Sequence, residues 1–386
     1  MVNIPLIIQS NLSHLGSTGF KSMTPSDLHF QYKVRNSPHN LCNMKFRWLL
    51  FLILLQDAVL FAQNASLLDT ISQDSAIGLH LTQDWKHIEK HKKDKAYQSA
   101  NVRMITTAKT TITIPAKVRT RGNMRLQICS LPPLKVKFEK SDLAAHQLSP
   151  LNELDLVQPC HAAEQYYQYI LKEYLAYKLW ELVSPTYFRT QLVQIHYTNP
   201  DGTDAHASSY GFFVENAEEL VDRLGGKRNK TPVMSNNAVD KQPMLLVALF
   251  EFMIGNTDWF IQNRHNLEFV VIPGHPLLVP IPYDFDYSGL VGATYAAHHE
   301  SLKLTSINSR YYQGWCFTEA EVDNVLATFR AQKENILAMP YRIQGLSEKS
   351  ADQAREFLAA FFEIIENPRK LDNQILKHCD MWPVKN

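Results

Sequence analysis

Four residues in the second half of the chain have side chains and spacing suited to work on a phosphate. Asp258 and Asn266 share a polar stretch, and Asp284 and Asp286 follow on the far side of a predicted hairpin. Phosphoryl transfer needs a carboxylate to orient an attacking hydroxyl, and oxygen ligands for a magnesium ion between phosphates. Asp258 suits the first role, and Asn266, Asp284 and Asp286 suit the second. The same residues also have plainer readings. Asp258 can end the preceding helix in a turn, and Asn266 can be a buried amide bonded to backbone. Asp284 and Asp286 can be turn residues after a strand or ligands of a structural calcium ion.

The elements around them must bring these side chains together. Met244 to Ile254 is apolar nearly all round, which predicts a fully buried helix stopped at Gly255-Asn256. Thr257 to Asn266 then reads as a loop. Strands follow over Leu267 to Ile272 and Leu277 to Ile281, with Pro273-Gly274 as their turn, and return Asp284 beside the loop. Upstream, a lysine-rich helical stretch is expected from about Leu79. Strands are expected over Ala100 to Thr107, Thr110 to Thr120 and Leu134 to Phe138. In the last of these, period two sets Lys135 and Lys137 on one face and Leu134, Val136 and Phe138 on the other. Both lysines also suit a solvated strand face. An amphipathic helix is predicted over Ala163 to Leu182, with Glu173 on it. Strands follow over Thr190 to Tyr197 and Ser209 to Glu215. The remainder is mainly helical, clearest over Glu319 to Leu337 and Ser350 to Glu366.

Composition narrows the class. The chain has 386 residues, 45% apolar and 20% charged, with a formal net charge of +1. That is globular composition, with no electrostatic case for nucleic acid or an anionic membrane as main partner. Met44 to Gln63 has basic Lys45 and Arg47, an apolar run from Trp48 to Leu55, and small residues near Ala62. This is the layout of a secretory signal peptide, with a buried core helix as the alternative. The run is too short for a membrane anchor, and Gln56 and Asp57 interrupt it. Residues 1–43 read as a mis-assigned or unstructured upstream segment.

Setting aside Cys42, an exported chain would keep Cys129, Cys160, Cys316 and Cys379. Two disulfides are then expected, with Cys129–Cys160 favoured because each flanks the same strand-rich segment; buried free thiols are the alternative. No Cys-x-x-Cys spacing supports zinc, and His265 and His298-His299 lack the spacing of a closed metal site. No Gly-x-Ser-x-Gly elbow supports a serine hydrolase.

The segments Gly255-Asn256-Thr257-Asp258, His265-Asn266 and Pro282-Tyr283-Asp284-Phe285-Asp286 resemble those of the spore-coat CotH-type kinases and their secreted relatives in Bacteroidota. The resemblance extends to Arg121-Gly122-Asn123, to Pro132 through Phe138, to the helix Tyr169 to Trp180, and to Gly211 through Glu215. It implies a two-lobed α+β fold of the atypical protein-kinase type. A strand-rich N-lobe would span residues 64–215 and a helix-rich C-lobe residues 216–386.

The same resemblance implies the roles of individual residues. Asp258 would be the catalytic acid that takes the proton of the acceptor hydroxyl. Asp284 would be the principal metal ligand, Asn266 the second and Asp286 an accessory one. Lys137 or Lys135 would reach the nucleotide phosphates, with Glu173 as ion-pair partner, and Phe212 to Asn216, including Glu215, would meet the adenine. The spacing from Asp258 to Asn266 is wider than in ordinary protein kinases, Asp286 replaces their glycine, and no Gly-rich loop is evident. The implied cofactors are ATP or another nucleotide with Mg2+ or Mn2+. The implied acceptor is a protein or envelope glycan, and the implied state is a monomer. A non-catalytic pseudokinase or an envelope binding module, possibly one stabilised by calcium, is the other reading.

Overall fold

Seven strands close on themselves. They are β1 (Ile77–Thr82), β2 (Gln98–Ile105), β3 (Thr111–Thr120), β4 (Leu134–Phe138), β5 (Glu153–Val157), β6 (Thr190–Thr198) and β7 (Asp204–Val214). Their order around the barrel is β1-β2-β3-β4-β5-β7-β6. All neighbours pair antiparallel except β1 and β6, which run parallel and complete the circle. Alternation puts Leu79, Val102, Ile114, Val136, Leu156 and Ile195 into one buried core inside the barrel. The computed structural model describes residues 64–298, 302 and 304–379. Residues 1–43, the signal peptide expected over 44–63, Cys42 and His299 lie outside them.

A closed barrel with helices around it is not the two-lobed atypical protein-kinase fold that the resemblance implies. Two strands make the difference. β1 occupies positions expected to open a lysine-rich helix, and that helix comes later and shorter, as α2 below. β5 lies where no strand is expected. β1 joins β2 to β6, and β5 joins β4 to β7, so these two segments turn an open sheet into a cylinder. Closure leaves the cylinder no free edge.

Helices surround the barrel: α1 (Leu67–Ile71), α2 (Trp85–Lys90), α3 (Met124–Ile128), α4 (Lys140–Ala145), α5 (Glu164–Val183), α6 (Ala217–Arg223), α7 (Lys241–Ile254), α8 (Glu319–Ala331), α9 (Lys333–Ala338) and α10 (Glu348–Ile365). A small sheet of β8 (Lys227–Arg228), β9 (Leu267–Val271) and β10 (Val279–Pro282) stands with them. Side chains from α5, α7, α8, α10 and this sheet form a second core. The helix expected to be amphipathic, α5, is buried at consecutive positions from Glu173 to Tyr177, because it packs against β6 and β7 as well as against the second core. α7 is apolar along its length and starts at Asp240, whose side chain accepts from the Gln242 amide. It stops at Gly255, which adopts φ 66°, a left-handed conformation that suits glycine.

The expected Cys129–Cys160 disulfide is present, with Cα atoms 4.5 Å apart, and Cys316 pairs with Cys379 at 4.8 Å. The first ties the end of α3 to the segment leading into α5. Both bonds are compatible with an oxidising compartment. Among the described residues no helix is long and apolar enough to cross a membrane.

Leu79 tests the closure. Its side chain is 1% exposed inside the barrel, whereas Lys137 on β4 is a half-exposed polar position. Leu79→Ala should lower the unfolding free energy by about 2–5 kcal/mol in urea denaturation. Lys137→Ala should change it by less than about 0.5 kcal/mol. Equal, small effects would place Leu79 on the surface and break the barrel.

Candidate functional site

A cavity of about 710 Å³ lies outside the barrel wall, bounded by α5, the loop after α7 and the end of the β9–β10 hairpin. The volume is in the range of small-molecule sites. Its floor is built locally. The buried end of α7 supplies Asn256, whose Oδ1 accepts from the Asp258 amide at 3.0 Å. The backbone then turns tightly, and Phe260 and His265 exchange two backbone hydrogen bonds. The β9–β10 register pairs Leu267 with Pro282, and the Tyr283 amide donates to the Asn266 carbonyl at 3.1 Å. Asn266 and Asp284 are thus brought to one end of a hairpin. The Asn266 side-chain amide donates to the Asp258 carbonyl at 2.7 Å, to Asp258 Oδ2 at 3.1 Å and to the Asp284 carbonyl at 3.5 Å.

Three non-glycine residues here have left-handed backbone: Arg264 at φ 56°, Asn266 at 53° and Asp284 at 63°. Such conformations are costly for L-residues and cluster where surroundings hold them for a purpose. Asp284 is held by its own amide, which donates to Tyr177 Oη at 2.9 Å. Downstream, Gly289 and Leu290 donate backbone hydrogen bonds to Gly255 and Ile254, so the segment past Asp286 is stitched to the end of α7. His265 Nε2 lies 3.0 Å from Asp258 Oδ1. That hydrogen bond, together with the Asp258 charge, raises the His265 pKa although partial burial opposes it.

Behind the floor sits a buried ionic group. Arg125 donates from Nε to Asp286 Oδ2 at 2.8 Å and from Nη2 to Glu173 Oε2 at 2.7 Å. Burial raises both carboxyl pKa values, Glu173 most, and Arg125 opposes the rise. One guanidinium between two buried carboxyls favours keeping a proton on the pair. One expectation is corrected here: the ion-pair partner of Glu173 is Arg125, not Lys135 or Lys137. Asp286 meets the same guanidinium through its Oδ2 atom.

The strand lysines and Glu215 also differ from expectation. Lys135 lines the cleft but is paired, 3.0 Å from Asp155 and 3.5 Å from Glu153. Lys137 is not among the residues lining the cleft and pairs with Glu153 at 3.4 Å. The Glu215 side chain is fully buried and bound by both Arg189 and Arg223, and its amide donates to the Arg189 carbonyl. Its carboxylate and its amide are engaged within the protein. Asp258, Asn266, Asp284, Asp286, Glu173, Lys135 and Glu215 nevertheless all line the same cavity.

Arg125, Tyr177 and Asp155 are the side chains that sequence reasoning misses. Tyr177 stands one helical turn from Glu173 on α5, a spacing that puts both on one face. Asp155 alternates with Leu154 and Leu156, a signal that becomes usable once β5 is recognised as a strand. Nothing in local spacing marks Arg125, whose partners lie 48 and 161 residues away.

The donor set can be weighed for a divalent ion. Asp284 and the Asn266 Oδ1 atom are hard oxygen donors of the kind magnesium takes. Among the described residues no group of three or more His, Cys, Asp or Glu side chains is arranged to hold a metal. Magnesium commonly uses one or two carboxylates together with substrate phosphates, so these residues fit an ion that arrives with its phosphate ligand.

Glu251, on the last turn of α7, accepts from Asn256 Nδ2 at 3.0 Å, and its other oxygen is buried without a hydrogen bond. Burial pushes its carboxyl up to about 8. A carboxyl raised on folding contributes stability that is fully present below the ordinary carboxyl range and lost as pH climbs through about 8. Glu251→Gln should therefore flatten the decline of Tm between about pH 5 and 8. Identical slopes in melting curves of the two proteins would show that Glu251 is not held protonated.

No protein-family model matches the chain, and no curated protein matches its sequence. Among solved structures it is similar to the Helicobacter pylori proinflammatory kinase CtkA, at 8% identity and a TM-score of 0.36, over 64% of this chain and 90% of that one. A likeness this distant is a kinase neighbour and carries no weight in assigning a fold or an activity.

Proposed function

We propose that this protein is an exported phosphotransferase that moves a phosphate from a nucleotide such as ATP to a hydroxyl of a protein or envelope glycan, with magnesium or manganese. The observation that carries the reading is the Asn266 amide, which joins the Asp258 carboxylate to the Asp284 backbone on the floor of a cation-lined cleft. The likeness of these segments to CotH-type kinases points the same way, and the two disulfides suit export.

In this reading Asp258 accepts the proton of the acceptor hydroxyl as its oxygen bonds to phosphorus. The bond from phosphorus to the bridging oxygen breaks, and the nucleoside diphosphate leaves. His265 and Asn266 fix the two Asp258 oxygens, which orients the carboxylate before the acceptor arrives. Asp284 and Asn266 Oδ1 would hold the divalent ion, which supplies charge neutralisation between the phosphates. Tyr177 keeps the Asp284 backbone in its left-handed conformation. Arg125 ties Glu173 on α5 to Asp286, so the metal-side loop cannot move independently of the helix. Val157, Phe188 and Val214 offer an apolar wall to the base.

The test is transfer of γ-labelled phosphate from ATP, with magnesium, to the purified protein itself and to envelope fractions. Asp258→Asn should lower turnover by about 10²–10⁴-fold while nucleotide still raises Tm. Asp284→Ala should remove the metal-dependent part of that rise. Nucleotide binding without transfer would make the protein a binding module. Melting that responds to calcium and not to nucleotide would support a calcium-stabilised one instead.

A further inference from the structure

The barrel wall facing the cleft carries one row of side chains set by strand register. Arg119 on β3 stands opposite Lys135 on β4, Lys135 opposite Asp155 on β5, and Asp155 opposite Val214 on β7. All four line the cavity. Like charges directly opposite on paired strands destabilise a sheet. Lys135 is compensated by Asp155 and Glu153, and Arg119 is not.

The other arginines of the cleft are each paired with a carboxylate: Arg121 with Asp155, Arg125 with Glu173 and Asp286, and Arg228 and Arg264 with Glu268. Arg119 meets only the Thr120 carbonyl, at 3.3 Å, and the face of Tyr97, 5.3 Å from its ring centre. Lys95, two residues before the Tyr97 that Arg119 covers, also lines the cavity, and among the described residues it has no hydrogen bond or ion pair. The cleft lining therefore includes two uncompensated cations.

We infer that Arg119 and Lys95 form an anion-recognition subsite that takes a phosphate or carboxylate group of the ligand. This assigns to Arg119 and Lys95 the contact that the β4 lysines, already paired, cannot make freely. It rests on the cleft being the ligand site, but not on phosphate being transferred there. An anion bound here would also relieve the like-charge pair of Arg119 and Lys135. The group can come from the phosphate chain of a nucleotide or from an anionic acceptor.

Tripolyphosphate, titrated calorimetrically at low salt, is the probe. Wild-type protein should bind it, and Arg119→Gln with Lys95→Gln should weaken binding about tenfold or more, as expected for lost charge-assisted hydrogen bonds. Arg119→Lys should retain most of the affinity, which separates charge from folding. Arg103→Gln, on β2 outside the cleft, should have no effect. A second titration with magnesium ATP identifies the source. An equal loss of ATP affinity assigns the anion to the nucleotide. Unchanged ATP affinity, with weakened tripolyphosphate binding to ATP-saturated protein, assigns it to the acceptor. The subsite is overturned if the double variant binds tripolyphosphate as wild type does, or if wild type does not bind it. Absence of any transfer activity with tripolyphosphate binding intact would sink the proposed function and leave the subsite standing.

Discussion

The buried guanidinium of Arg125 is the interaction on which the geometry of the cleft depends. It holds Glu173 from α5 and Asp286 from the loop beyond β10, and it is carried on α3, just outside the barrel. Three separate parts of the chain meet at one side chain. A buried arginine facing two carboxyls is costly to desolvate, and removing one member would leave a charge stranded. Such a group is weak evidence for stability and better evidence that a particular arrangement is being enforced. The Cys129–Cys160 disulfide reinforces it by pinning the end of α3 near the start of α5.

The floor of the cleft is enforced differently, by short-range hydrogen bonds. Glu251 holds Asn256, Asn256 holds the Asp258 amide, and Asn266 holds the Asp258 side chain. Left-handed backbone at Arg264, Asn266 and Asp284 shows that this loop and hairpin end are not relaxed turns. Their conformations persist because α7 is rigid and buried below them, and because Tyr177 and the Gly255 and Ile254 carbonyls restrain the segment from Asp284 to Leu290. The strained backbone and the converging carboxylates occupy the same few residues.

Electrostatics divides the cleft into a spent part and an available part. Glu215 and Lys135 look like ligand contacts by type and position, yet each side chain is paired with protein partners. The Asp258–Asn266–Asp284 floor lines the same cavity as Arg119 and Lys95, which have no carboxylate partner among the described residues. Acid on one side and base on the other is the pattern expected where a phosphate and its counter-ion are both accommodated.

Read alone, the residues determine a good deal of this. The apolar run of α7, the glycine that ends it, and the apolar strands flanking Pro273-Gly274 are local signals, and they predict a hairpin that returns Asp284 beside Asp258 and Asn266. Alternation in β4 likewise separates Lys135 and Lys137 from Leu134, Val136 and Phe138 by spacing alone. Barrel closure is different. β1 runs at once into a lysine-rich helix and β5 sits between polar loops, so the alternation each carries becomes decisive only when they pair with β2, β6, β4 and β7. Ion-pair partners are also decided by tertiary structure: an arginine on a five-residue helix meets Glu173, and the nearer-looking lysines are neutralised by Asp155 and Glu153. Periodicity is written into neighbouring residues, but charge pairing depends on which distant carboxylates folding brings within hydrogen-bond reach.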